Sequence, residues 1–139
     1  GDSPVMNAQS LMTKARIACE SARALLERQD SDGACNRAYY AMFDAARAAL
    51  MATNAEIPLN IGKTHSGVLT AFSQHLVKNG PVPRDIGRLL KQAEELRLVA
   101  DYSGDSITLD DARALVEKAE SFVDTLASIL DAPPTANGA

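Results

Sequence analysis

The chain has no tryptophan and only three phenylalanines and three tyrosines, so 4% of its 139 residues are aromatic. The apolar 46% is instead dominated by alanine and leucine, residues that favour helices over strands. Cysteine is nearly absent. Cys19 and Cys35 lack a metal-ligand spacing and fall inside helical patterns, which predicts buried thiols in a reduced, cytoplasmic protein. No apolar run approaches the ~20 residues that span a bilayer, and no charged-then-apolar signal opens the chain, so no membrane association is expected. An excess of positive charge is missing too: the formal net charge is −4, which excludes a broad basic surface for nucleic acid and leaves room only for a local contact.

What is present is helical periodicity. At 139 residues the chain suits one domain with a core of its own. Residues 1–5 precede Met6, the expected native start, and are set aside as an expression remnant. Residues 6–131 are the expected bundle, and 132–139 a flexible tail after Pro133 and Pro134. Leu11, Ala15, Ala18, Ala22 and Leu25 mark one face of a first helix over 7–28. A turn over 29–33 follows, with Asp30 or Ser31 as the next N-cap. The second helix turns Tyr39, Tyr40, Phe43, Ala46 and Leu50 inward. A loop is expected over 53–62, then a third helix with His65, Val68, Leu69, Phe72 and Leu76 on one stripe, closing near Asn79. Pro83 fits the first turn of a fourth helix carrying Ile86, Leu89, Leu90, Ala93, Leu96 and Val99 to about Asp101. A polar loop over 102–107 precedes a fifth helix, opened by a capping pair of Thr108 and Asp111 and running to about Leu130. With no strand pattern and short connections, the fold class is all-α, an antiparallel up-and-down bundle of four to five helices.

Three groups of residues carry candidate chemistry. Asn36, Arg37 and Tyr40 lie in the run from Asn36 to Asp44, where two adjacent tyrosines meet polar groups three and four apart. The plain reading makes Tyr39 and Tyr40 core rings with satisfied hydroxyls; the functional one makes Asn36 and Arg37 part of a polar groove for a phosphate or base. Lys63, Thr64 and His65 open the third helix, where free N–H groups favour an anion, against the plainer reading of Thr64 as a cap and His65 as a packed ring. Gly62-Lys63-Thr64 is not a Walker motif, because Ile57 stands where the upstream glycine belongs and no strand precedes it. Arg97 and Asp101 lie four apart with Glu94 on the same side. That is sufficient for a surface ion pair worth ~0.3–0.5 kcal/mol, and equally for a polar site shared with the second helix. No nucleophile elbow, His-Glu-x-x-His or metal-ligand cluster occurs, so no metal or cofactor is expected, and Asp110 and Asp111 read as dipole-favouring residues at a helix start.

Read in order, Asn36-Arg37-Ala38-Tyr39-Tyr40-Ala41-Met42-Phe43, Lys63-Thr64-His65 and Arg97-Leu98-Val99-Ala100-Asp101-Tyr102 resemble the small prokaryotic HEPN proteins, over about residues 6–130. The resemblance implies a helical bundle that dimerises, a nucleotide or RNA ligand, and partnership with a minimal nucleotidyltransferase in toxin–antitoxin or related two-gene modules. Many such proteins are metal-independent ribonucleases that use an arginine followed after four to six residues by a histidine. Arg97 falls where that arginine would, but Tyr102, Ser103 and Gly104 occupy the three histidine positions, and no other arginine has a histidine at that spacing. The resemblance therefore implies a non-catalytic interaction module. The alternative is an RNA-cleaving toxin with an atypical site of Arg97, Asp101 and Tyr102.

Overall fold

The computed structural model describes residues 7–53, 65–104 and 106–131. Within them the chain forms five α-helices and no strand: α1 (Ala8–Glu27), α2 (Ser31–Ala52), α3 (His65–Ala71), α4 (Arg84–Ser103) and α5 (Leu109–Asp131). The helices form the all-α bundle that the periodicity predicts. The expectations for residues 1–5, for the loop over 54–62 and for the tail over 132–139 lie outside the described residues.

Local signals explain the boundaries. Asn7 caps α1 by accepting from the Ser10 backbone N–H at 2.8 Å, while the Ser10 hydroxyl accepts from the Asn7 N–H at 3.0 Å, a reciprocal box that satisfies two free donors. At the other end Gln29 takes the left-handed conformation (φ 65°), so that its N–H reaches the Leu26 carbonyl and the Asp30 N–H reaches Leu25. Asp30 then caps α2, accepting from Gly33 N–H at 2.9 Å. Of the two capping candidates it is thus Asp30 that acts, and Ser31–Gly33, expected as turn, are already helix because that cap nucleates them.

The third helical segment departs further from expectation. The stripe of Val68, Phe72 and Leu76 is buried, but after Ala71 the backbone widens into a π-helical turn, Phe72–Lys78, a change that apolar spacing does not encode. Pro83 is the residue before α4 rather than within its first turn. The helix also continues through Tyr102 to Ser103, past its expected end at Asp101, until Gly104 adopts φ 79°, a conformation that costs glycine nothing. The loop expected over 102–107 is accordingly shorter, and Ile107 in it is buried, with its N–H donating to Asp32 on α2 at 2.9 Å. Thr108 caps α5, its hydroxyl accepting from the Asp111 N–H at 3.1 Å.

The core lies among α1, α2 and α5, which pack on one another extensively, while α4 packs on α2 and α5, and α3 and its π-helical turn on α2 and α4. Alanine makes this closeness feasible. Ala15, Ala18 and Ala22 of α1, and Ala34, Ala38, Ala41, Ala45 and Ala48 of α2, are buried and let the helix axes approach. Larger side chains fill the space towards α5, where Phe72 and Phe122 meet at 5.6 Å between ring centres. Both cysteines are buried free thiols. Val99, expected in the core stripe of α4, is instead 57% exposed, because only Leu90 and Ala93 of that helix are sealed against the bundle.

Candidate functional site

Tyr39 is at the centre of a place where aromatic and polar side chains of α2, α3 and α4 meet. Adjacent residues on a helix point about 100° apart, so α2 can send only one of its paired tyrosines straight inward. Tyr39 is wholly buried and Tyr40 is half-buried beside it, their rings edge to face at 5.3 Å. Phe43, one turn further on, stacks at 6.0 Å from Tyr39. The expectation that Tyr40 is as deeply placed as Tyr39 and Phe43 is corrected to that extent.

His65 closes this aromatic group from α3. Its ring is 4.4 Å from Phe43, 5.7 Å from Tyr40 and 5.9 Å from Tyr39 between centres. Its Nδ1 stands 3.5 Å from the Tyr39 hydroxyl, a long contact whose donor depends on the imidazole tautomer. His65 is thus a packed ring whose imidazole also reaches the buried phenol.

From the other side α4 brings Arg97. Its guanidinium carbon lies 4.8 Å above the centre of the Tyr39 ring, within cation–π range. One Nη donates to the Asp101 carboxylate at 3.0 Å, as the spacing of four predicts. The Arg97 side chain is only 18% exposed against 54% for Asp101, so this is not the surface pair that spacing alone suggests. Its Nε is buried and has no hydrogen-bond partner among the described residues. A buried guanidinium N–H left unpaired ordinarily costs ~1–3 kcal/mol, which makes this atom the most demanding feature of the site.

The electrostatics follow from burial. The Tyr39 phenol is pushed up to about 12, chiefly by desolvation, with the Glu94 carboxylate raising it further and Arg97 opposing. Tyr39 is thus a neutral ring and hydroxyl through the physiological range. The Asp44 carboxyl, one helical position past Phe43, is raised by partial burial against the pull of Lys14, Arg47 and Arg37.

Of the residues singled out in the sequence, His65, Tyr40 and Arg97 meet around Tyr39, and Asp101 is tied to Arg97. Asn36 and Arg37 are exposed on α2, Asn36 one turn before the paired tyrosines, and neither is among the side chains in contact with the Tyr39 ring. Tyr102 projects into solvent at 84% exposure. Lys63 and Thr64 lie outside the described residues. Tyr39 and Phe43 enter the site although the pattern marked them only as core, and the available signal was their spacing from the polar residues of α2. Among the described residues no three histidine, cysteine or acidic side chains are grouped as for a metal ion, and no helix is long and apolar enough to cross a membrane.

Comparison with known proteins places this arrangement in a family. A UPF0332 protein of Gloeobacter violaceus is 38% identical over 117 residues, covering 83% of this chain and 89% of the relative. A protein of Methanocaldococcus jannaschii named "putative toxin" is 34% identical over 122 residues, covering 88% and 87%. A UPF0332 protein of Thermotoga maritima is 32% identical over 120 residues, covering 85% and 86%. The HEPN domain profile matches residues 8–129, nearly the whole helical span, and the chain belongs to the HEPN domain family.

Proposed function

We propose that this HEPN protein is a nucleotide- or RNA-associated module that holds a phosphate at Arg97 without cleaving it, and that it serves as the partner of a minimal nucleotidyltransferase in a prokaryotic two-gene system. The observation that carries the reading is the Arg97 guanidinium, seated over the Tyr39 ring and tied to Asp101, with its Nε inside and unpartnered among the described residues. A planar guanidinium held in this way presents its donors in a fixed fork suited to phosphate oxygens. Two relatives carry the name "putative toxin", which fits a toxin–antitoxin setting. The exposed Leu98, Val99 and Tyr102 give α4 an apolar outer face that suits a homodimer contact.

A second reading, cleavage of RNA, is favoured by one observation. The histidine missing after Arg97 has a counterpart in space, because His65 of α3 reaches the same Tyr39 that Arg97 covers. Imidazole is the side chain suited to proton transfer near neutral pH. Incubating the purified protein with single-stranded and transfer RNA, without metal, separates the two. The expected outcome is binding that disappears in Arg97→Ala and no cleavage by the native chain. Cleavage that is lost in both Arg97→Ala and His65→Ala would replace the binding module by the toxin.

A further inference from the structure

Between the π-helical turn and α4 runs a cleft of about 740 Å³. Its charged residues are Lys78 at the end of the turn, Arg84, Arg88 and Lys91 along α4, and Glu94 at the inner end. The three α4 cations follow one another at steps of four and three, hence on one face, and all four are exposed. None of them makes an ion pair among the described residues, whereas Arg16, Arg23, Arg97 and Arg113 all do. In a chain with a formal net charge of −4, residues 65–92 hold these four cations against a single carboxylate, Asp85. Four of the chain's 14 lysines and arginines thus line one concavity, with Glu94 the one carboxylate among its lining residues.

The cleft also leads somewhere. Ser66, which lines it, follows His65, and Glu94 is the residue whose carboxylate acts on the Tyr39 phenol, one turn before Arg97. At 1.5 Å rise and 100° per residue, the row from Arg84 to Lys91 covers ~10 Å of one face. Arg97 stands ~20 Å along the axis from Arg84 but about 140° around it, with Glu94 at an intermediate angle between Lys91 and Arg97. A compact phosphate ligand calls for donors that converge on a point; these are strung along a line, with the hydroxyls of Thr70 and Ser73 on the facing wall. The one ring in the lining, Phe72, is buried, so there is no exposed platform on which a base could stack. Such a surface reads a phosphate backbone rather than bases.

We propose that the cleft between the π-helical turn and α4 is a track for the backbone of single-stranded RNA, which it leads towards Arg97. The proposal rests on the reading of Arg97 as a phosphate site and extends it to a polymer. Its test measures binding of a labelled oligouridylate, as a function of salt, to the native chain, to the triple variant Arg84→Gln/Arg88→Gln/Lys91→Gln, to Arg97→Ala, and to a control triple variant, Arg28→Gln/Arg113→Gln/Lys118→Gln, whose changes lie outside the cleft. Each phosphate contact to a single strand contributes ~0.7 to the salt slope. The cleft variant should therefore flatten the slope by about 2 and bind on the order of a hundredfold more weakly at ~0.1 M salt, while the control triple binds as the native chain does.

Equal losses in both triple variants, or none in either, would overturn the track. If the cleft variant binds normally and Arg97→Ala does not, the track fails while the Arg97 reading stands; with the losses reversed, the track stands and that reading fails. An oligouridylate that does not bind, alongside a co-expressed nucleotidyltransferase whose capture needs the three cations, would reassign the cleft to an acidic protein. Thermal melts of each variant confirm that it is folded, as is expected for exposed glutamine substitutions.

Discussion

The half of the bundle made by α1, α2 and α5 and the half made by α3 and α4 solve different problems. In the first, alanines bring helices close, the buried side chains are apolar, and charges are paired outside the core, as Arg23 is with Glu120 and Arg16 with Asp124. In the second, α4 seals only Leu90 and Ala93, the preceding segment widens into a π-helical turn, a half-buried arginine holds one buried N–H unpartnered among the described residues, and four cations stand unpaired in a cleft. The first kind of packing holds a fold together, whereas unpaired cations and an unpartnered N–H add nothing to it. Departures from good packing that gather on one side mark where binding has been favoured over stability.

The comparison can be broken at the joint between the halves. Phe122 of α5 is wholly buried and faces Phe72 of the π-helical turn. Phe122→Ala should cost about 3–5 kcal/mol through lost burial and the cavity left behind. A urea melt checks this, and a loss below ~1 kcal/mol would mean that the two halves are not held through this ring.

Alkaline titration sharpens the comparison next. The Cys19 and Cys35 thiols of the scaffold are each pushed from 9.0 up to about 11 by burial, and Tyr39 at the border goes from 10.0 to about 12. A group whose folded value is raised keeps its proton in the fold while the unfolded chain loses it. Stability present below the unfolded value is therefore lost as pH rises through the folded one. For Tyr39 the window is pH 10 to 12 and the loss about 2–3 kcal/mol, since one unit is worth ~1.4 kcal/mol. Tyr39→Phe should remove that part of the decline and leave the part that the thiols begin near pH 9. Melts across this range check it, and an unchanged alkaline decline in Tyr39→Phe would show that the ring is not sealed.

These contrasts also show what the sequence makes legible. The scaffold was readable because a repeat of three and four determines a buried face directly, as Leu11, Ala15, Ala18 and Ala22 do on α1. The Arg97–Asp101 pair was readable for the same reason, being local to one helix. The meeting of Arg97 with Tyr39 and of Tyr39 with His65 was not, because those residues are far apart in sequence and only the crossing of α2, α3 and α4 brings them together. The π-helical turn escaped because apolar spacing is the same on either side of Ala71. The row of Arg84, Arg88 and Lys91 was in plain view as a helical stripe, but a net charge of −4 averaged it away. Local charge excess within one helix face, not the sum over the chain, was the signal to read.

The last contrast turns on Arg97 itself. If this residue is kept for binding, the fold should be better off without it. Replacing it by methionine keeps an unbranched apolar stem against Tyr39 and removes the buried Nε that lacks a partner among the described residues. What is lost is the ion pair to Asp101, worth ~0.3–0.5 kcal/mol for such a spacing, and a cation–π contact of ~0.5–2 kcal/mol. What is regained is the cost of the unpaired donor, ~1–3 kcal/mol, together with the desolvation of the guanidinium. The second sum is the larger, so Arg97→Met is expected to raise stability by about 1 kcal/mol while abolishing phosphate binding. Parallel urea melts and oligonucleotide titrations measure both effects. A variant that loses stability would return Arg97 to the scaffold as a structural residue and leave the site without its central group.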